Sequence, residues 1–386
     1  MPRLRRPCRR APPIAAEGLG EATTALITQG RANPDTPWLR VLPTTALRGA
    51  LKDAVQAYEN FFSSVTGTRQ GRSVGRPVFQ RRHARQTARF YEAGFRIRGG
   101  WQNTKRGGGR LYLSKVGTVS VNWHRPLPSH PSSVTIIKAA DGTWWASFVV
   151  SVPVPAPIAP THHDRVAGID LGLTDLATIA YSDGTREKIA APKHYRAAER
   201  KLARAQKKLS RAQRGSKNRE KLRVEVARIH ARTANLRRDH ARQLISRLIR
   251  ENQTISLETL SVSAMVRGRY GKSITDAGWS QFVTELEAKA AAHGRTVVRA
   301  DRFFPSTRLC PICNTKSGPS SADVRHWTCP CGIHLDRDYN AATNLMVLAL
   351  APGKVERLNA CGRDIRLRLA GAVSDEAGTR RNEVTS

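Results

Sequence analysis

Residues 166–190 read VAGIDLGLTDLATIAYSDGTREKIA, and this run decides how the second half of the chain folds. Residues 166–170, 176–181 and 185–190 are short apolar runs separated by turn residues, which predicts three consecutive strands. Asp183-Gly184 marks the second connection as a hairpin. The first strand closes on a carboxylate, Asp170.

Working outward, residues 195–250 form a long helical region broken near Gly215-Ser216, with Leu222, Val226, Ile229, Leu236, Leu244 and Leu248 at helical spacing. Residues 254–258 read as a strand and 279–293 as a helix stopped by Gly294. A strand over 296–301 and a helix over 339–350 complete the pattern. Three strands, helix, strand, helix, strand, helix is the order of an α/β RNase H-like fold, antiparallel first and then receiving crossover strands.

That order gives the carboxylates a meaning. Asp170 and Glu258 end strands, and Asp336-Arg337-Asp338 opens the last helix. Taken singly, each is an ordinary turn or N-cap residue. Together, on neighbouring elements of one fold, Asp170, Glu258 and either Asp336 or Asp338 can converge on a divalent metal. Two Mg²⁺ ions held by carboxylates activate water and stabilise the leaving oxygen in phosphodiester hydrolysis.

Cysteines provide a second metal signal. Cys310-Pro-Ile-Cys313 and Cys329-Pro-Cys331 are two pairs joined by a short loop, the spacing of a structural Zn²⁺ ribbon. The second pair has one intervening residue where two are usual, so His326 or His334 stands as an alternative ligand. Four protein ligands leave no open position, which makes the role structural.

The first half is patterned differently. Residues 1–35 show little periodicity. A helix begins at Thr44 or Thr45, with Leu47, Leu51, Ala54, Tyr58, Phe61 and Phe62 on one face. Residues 68–110 are basic and glycine-rich, with Phe79, Phe90, Tyr91, Phe95 and Trp101 interleaved, which suits phosphate pairing and base stacking. Residues 111–160 read as a small β domain with a hairpin at Asp141-Gly142, ending in a proline-alternating linker at 153–160.

The chain has 386 residues with 65 Lys and Arg against 30 Asp and Glu, a net charge of +35. Such an excess points to a polyanion partner, because each contacted phosphate releases counterions. Residues 193–250 alone hold twenty Lys and Arg against four acidic residues. The contacts expected are Arg81, Arg82, Arg85 and Arg89 in the first half, and Arg200, Lys201, Arg204, Lys207, Lys208 and Arg211 in the second. No apolar run approaches the roughly 20 residues of a membrane span. No apolar core follows the N-terminal arginines, so a secretory signal is not expected. A cytoplasmic, nucleoid-associated location is expected, with no membrane partner.

Several blocks resemble the TnpB/OrfB family of transposon-encoded proteins, relatives of the RuvC-type CRISPR nucleases. They are Gly168-Ile-Asp-Leu-Gly-Leu173, Leu257-Glu-Thr-Leu-Ser-Val262, Asp276-Ala-Gly-Trp279, Phe304-Pro-Ser-Thr-Arg-Leu-Cys-Pro-Ile-Cys313 and Asp336-Arg-Asp-Tyr-Asn-Ala-Ala-Thr-Asn344. Asn235-Leu-Arg-Arg-Asp239, Pro37-Trp-Leu and Asn359-Ala-Cys-Gly362 add to them. The resemblance implies that Asp170, Glu258 and Asp338 are the nuclease carboxylates. It implies a guide RNA and DNA, double- and single-stranded, as partners, with pairing reading the sequence. Asn314 stands where the family has Gly after the second cysteine, and Asn also accepts a left-handed turn.

The implied organisation is an atypical N-terminus over 1–35, a helical nucleic-acid-recognition region over 36–95 and a small wedge-like β barrel over 96–160. A RuvC-like nuclease follows over 161–305, with a basic helical hairpin at 193–250. The zinc ribbon spans 306–333, the last nuclease segment and helix 334–351, and a flexible tail 352–386. Two other functions draw on the same features: a non-catalytic DNA- or RNA-binding regulator of transposition, and a transposase acting directly on DNA. Intact carboxylates favour chemistry over the first. No recombinase-type Tyr or Ser nucleophile motif stands out for the second.

Overall fold

The computed structural model describes residues 19–79, 86–153, 158–321 and 323–350. Arg81, Arg82, Arg85, the stretch 1–18 and the tail beyond residue 350 lie outside the described residues. The chain divides into two compact units, Met1–Pro153 and Val154–Ser386.

The first unit opens with two helices, α1 (Leu19–Ala32) and α2 (Thr44–Val65). Helix α1 falls where the sequence shows little periodicity. Among its described side chains Ile27 is the one large apolar group that is buried, too few for a visible stripe. Hydrogen bonds hold its C-terminal end instead: Arg31 donates to the Leu39 and Leu42 carbonyls, and the Thr36 hydroxyl to the Gly30 carbonyl at 2.7 Å.

Six strands follow: β1 (Gln86–Tyr91), β2 (Phe95–Arg98), β3 (Gly107–Leu113), β4 (Gly117–Trp123), β5 (Pro131–Lys138) and β6 (Trp144–Val150). They form two antiparallel three-stranded sheets, ordered β1-β5-β6 and β2-β3-β4. One core joins them, built from Phe90, Phe95, Leu111, Leu113 and Val134. The region expected to be helical to residue 95 therefore turns to strand at Gln86. Period-two alternation sends Phe90 inward, and it is 3% exposed. Phe90 and Phe95 are core residues and offer no stacking surface.

The second unit carries β7 (His162–Asp170), β8 (Asp175–Tyr181) and β9 (Arg186–Ala190), then α3 (His194–Arg211) and α4 (Lys217–Glu251). The helical break is made by Gly215, at φ +84, and by Ser216, whose Oγ caps α4 by accepting from the Arg219 N–H at 3.1 Å. Next come β10 (Asn252–Leu257), α5 (Val262–Met265), α6 (Gly271–Ala277), α7 (Trp279–Ala292) and β11 (Thr296–Arg299). A hairpin, β12 (His326–Thr328) with β13 (His334–Asp336), runs directly into α8 (Arg337–Leu350).

The main sheet is ordered β11-β10-β7-β8-β9. Strands β7, β8 and β9 are antiparallel neighbours, whereas β10 runs parallel to β7 and β11 parallel to β10. Alternation along β7 sorts its side chains by face. Ala167 and Ile169 join the buried cluster with Leu244, Ile245 and Leu248 of α4 and Phe282 and Leu286 of α7. Val166 packs with Met346 and Ala349 of α8 on the other face. Gly168 shares that face, and a Cβ there would lie 2.1 Å from the Ala342 carbonyl oxygen and 2.2 Å from the Met346 nitrogen. The missing side chain lets α8 lie directly on the strand.

Candidate functional site

The β7–β10 register pairs Ile169 with Leu257, so the next residue of each parallel strand, Asp170 and Glu258, ends the same edge of the sheet side by side. Asp170 shares the α8 face with Val166 and Gly168. The two carboxyl groups are linked by a hydrogen bond. Burial, and then the charge of Glu258, push the Asp170 carboxyl well above the usual carboxylate range; Asp338 adds to the rise. Burial raises Glu258 as well, offset in part by hydrogen bonds from Asp170 and from the Leu171 N–H. Two carboxyls side by side form a site short of positive charge, and their hard oxygens suit Mg²⁺.

The two aspartates at the start of α8 separate into different roles. Asp336 Oδ1 accepts the N–H groups of Asp338 at 3.0 Å and Tyr339 at 2.9 Å, capping the helix. Burial opposes ionisation of Asp336. The Tyr339 N–H, the Lys188 ammonium and the Asp338 N–H outweigh it and hold its carboxyl below the ordinary range. Asp338 lies close enough to bias Asp170, but its oxygens face Arg325 at 3.2 Å and Lys188 at 3.9 Å. Lys188 also bonds Asp336 at 2.9 Å and lies 4.7 Å from the centre of the Tyr339 ring. Neither Lys188 nor Arg325 is marked in the sequence, because both answer to partners more than ten residues away.

The four cysteines come together. Their Sγ atoms all lie within 4.8 Å of one another, and among the described residues no other group of three or more His, Cys, Asp or Glu does so. Cys310 Sγ is 3.8 Å from Cys331 Sγ, and Cys313 Sγ is 3.4 Å from Cys329 Sγ. Tetrahedral Zn–S bonds of about 2.3 Å place sulfurs about 3.8 Å apart, so the cluster could hold such an ion. Gly332, at φ +88, turns the chain after Cys331, and its N–H reaches the Cys329 carbonyl at 2.8 Å. That turn lets the short Cys-Pro-Cys spacing deliver both sulfurs, and neither His326 nor His334 is needed. His334 Nδ1 instead contacts the Thr328 hydroxyl at 2.7 Å. Asn314 adopts the left-handed turn, at φ +59. The Thr315 hydroxyl and N–H lower the Cys313 thiol to about 6, whereas burial pushes Cys310 up to about 12. A divalent ion would supply the charge that Cys310 lacks.

Several motif residues turn out to be joinery. Asn340 and Asn344, 2% and 3% exposed, both donate to the Ser306 and Leu309 carbonyls at 2.7–3.2 Å, pinning the start of the ribbon to α8. Buried Asp276 accepts the Tyr195 N–H at 2.8 Å and the Arg196 N–H at 3.2 Å, capping α3. Nothing in local periodicity reveals these contacts, since each spans 31 residues or more.

Arg200, Lys201, Arg204, Lys207, Lys208 and Arg211 are all exposed on α3. Among the described residues none of them has an ion-pair partner. Positions 200, 204, 207, 208 and 211 follow helical spacing, which makes one continuous basic stripe. The opposite side packs Leu202 and Ala205 on Ile229 of α4. Arg89 is different: it sits on β1 and pairs with Asp53 of α2 at 3.4 Å. Among the described residues, no helix is long and apolar enough to cross a membrane.

Comparison with known proteins adds an independent line. The family described as "Probable transposase" matches residues 147–269, and the family "Cas12f1-like, TNB domain" matches residues 279–345. A Streptomyces pristinaespiralis protein named "Putative RNA-guided DNA endonuclease" is 36% identical over 351 residues, covering 89% of this chain and 79% of the relative. Its Escherichia coli K12 counterpart, InsQ, named in the same way, is 27% identical over 81% of this chain and 76% of its own length. Among solved structures, Cas12f1 in a cryo-EM complex with sgRNA and target DNA matches with a TM-score of 0.50 and 13% identity, over 86% of this chain and 80% of that one. At that identity the likeness is one of fold.

Proposed function

The chain belongs to the TnpB/OrfB family, and from that premise we propose that it is an RNA-guided DNA endonuclease with a RuvC-like site at Asp170, Glu258 and Asp338. The observation that carries the proposal is the side-by-side ending of the parallel strands β7 and β10 on the carboxyls of Asp170 and Glu258. Asp170, Glu258 and Asp338 would hold Mg²⁺, which when bound supplies Lewis-acid activation of water and stabilisation of the leaving oxygen. The residues of the chain prepare that site. Leu171 N–H orients Glu258. The Asp336 cap fixes the first turn of α8, and Lys188 and Arg325 pair with the side chain of Asp338. The four-cysteine ribbon, read as Zn²⁺-bound, is structural. The basic stripe on α3 fits a phosphate backbone, and pairing with a guide RNA would read the DNA sequence.

The test is to purify the full chain from its host, sequence the RNA that accompanies it, and challenge the complex with DNA matching that RNA in Mg²⁺. One defined RNA species and cleavage of the matched DNA alone are expected. A random sample of cellular RNA, with no guided cleavage, would move the protein to the class of nucleic-acid-binding regulators.

A further inference from the structure

Two tryptophans at the start of β6 are left in water by the first unit. Trp144 is 65% exposed and Trp145 is 50% exposed, whereas Trp123 on β4 is 6% exposed. Successive residues of a strand point to opposite faces, so the two rings stand on either side of the β5–β6 hairpin. Strand β6 is the edge of its sheet, and no described strand lies beyond it.

Both rings are held in place. Lys138 pairs with Trp144 across the ladder and sets its ammonium 5.5 Å from the ring centre. His124 stacks on Trp145 with ring centres 6.1 Å apart and planes 21° apart. The Trp145 indole N–H donates to the Thr143 hydroxyl at 3.1 Å, and that hydroxyl donates to Asp141 Oδ1 at 2.6 Å. The Thr143 N–H reaches the same oxygen at 3.0 Å, so the turn itself orients the indole. Rigid rings bind at lower entropic cost than mobile ones.

The chemistry selects the occupant. An apolar protein surface would cover the rings at the cost of dehydrating Lys138. A nucleic acid offers bases to the rings and phosphates to the ammonium. Its bases must be unpaired, because a duplex hides their faces. A chain of net charge +35 draws such a polyanion. We propose that the tip of the β5–β6 hairpin is a stacking platform for unpaired bases of a bound RNA, with Trp144 and Trp145 as the stacking rings. This rests on the RNA-guided reading, in which the RNA is the resident partner and a preformed platform suits it.

Fluorescence anisotropy of the full-length chain with an unstructured, uridine-rich RNA tests this, at low salt and at about 0.5 M, where phosphate contacts weaken and stacking remains. The double variant W144A/W145A is expected to lose on the order of tenfold or more in affinity at high salt, and W144F/W145F to stay within about threefold of wild type. Unchanged melting of both variants verifies their fold. Cross-linking of 5-bromouridine RNA should place adducts on Trp144 or Trp145. Wild-type affinity in a folded Trp→Ala double variant, or adducts confined to other residues, overturns the platform while leaving the RNA-guided reading intact. A wild-type chain that binds neither this RNA nor any RNA on purification from its host overturns both. A loss confined to single-stranded DNA of the same sequence overturns the assignment to RNA.

Discussion

Gly168→Ala is the substitution that tests how α8 seats the candidate metal site. A methyl group there would stand 2.1 Å from the Ala342 carbonyl oxygen, 2.2 Å from the Met346 nitrogen and 2.7 Å from the Met346 Cα, where ordinary contact begins at 3.4 Å. All three atoms are backbone, so no side chain can swing aside. Strand and helix must part by about 1.3 Å. Ala342 lies about one helical turn beyond Asp338, so the shift carries Asp338 with it. Overpacking of this kind costs about 2–3 kcal/mol, a fall in melting temperature of roughly 4–12 °C. A misplacement of about 1 Å at a reacting centre costs on the order of 10²-fold in rate. Melting of the purified chain and single-turnover cleavage of guide-matched DNA measure the two effects separately. A variant that melts within about 1 °C of wild type would refute the close approach of strand and helix. One that loses stability and still cleaves at the wild-type rate would refute the placement of Asp338 by α8.

Three further predictions concern charge and metal. Asp170 has a folded-state pKa above its unfolded value near 3.9, so without Mg²⁺ its ionisation opposes folding as pH rises through the window between the two. Asp170→Asn should therefore melt increasingly above wild type as metal-free samples are taken upward from about pH 4, and equal melting at every pH refutes the upward shift of Asp170. The same variant should lose DNA cleavage in Mg²⁺. Cys331→Ser should release zinc to a chromogenic chelator and lower the melting temperature; a wild-type chain free of zinc by elemental analysis would sink the ribbon assignment. Lys188→Met removes the 2.9 Å bond to Asp336 between partly buried groups, and should cost about 1 kcal/mol and weaken cleavage. Unchanged melting and cleavage would show that Asp336 caps α8 unaided.

The main sheet was legible because its strands are short, apolar and sharply bounded, and because Asp183-Gly184 announces a turn. Asp170 and Glu258 were legible because they close such strands. The choice between Asp336 and Asp338 was not, since both occupy a helix start. The family resemblance selected Asp338, and the hydrogen bonds of Asp336 to the first turn of α8 give Asp336 the part of cap. Helix α1 escaped notice because one buried isoleucine makes no stripe. Phe90 and Phe95 misled for the opposite reason: arginines beside aromatics look the same in sequence whether the ring faces solvent or, as here, the core. Lys188, Arg325, Asn340 and Asn344 act across 13 to 148 residues, and one sequence holds no record of such distances.

Strand β13 ends at Asp336 and α8 begins at Arg337, with no linker between them. The last residue of the ribbon hairpin is therefore the first clamp on the helix that carries Asp338. This contiguity couples the cysteine cluster to the start of α8. If the cysteines hold an ion as proposed, its loss would loosen the hairpin that ends in the Asp336 cap, and with it the seating of Asp338 at the start of α8. On the proposed reading, scarcity of the ribbon's metal would then weaken a site meant for a different one.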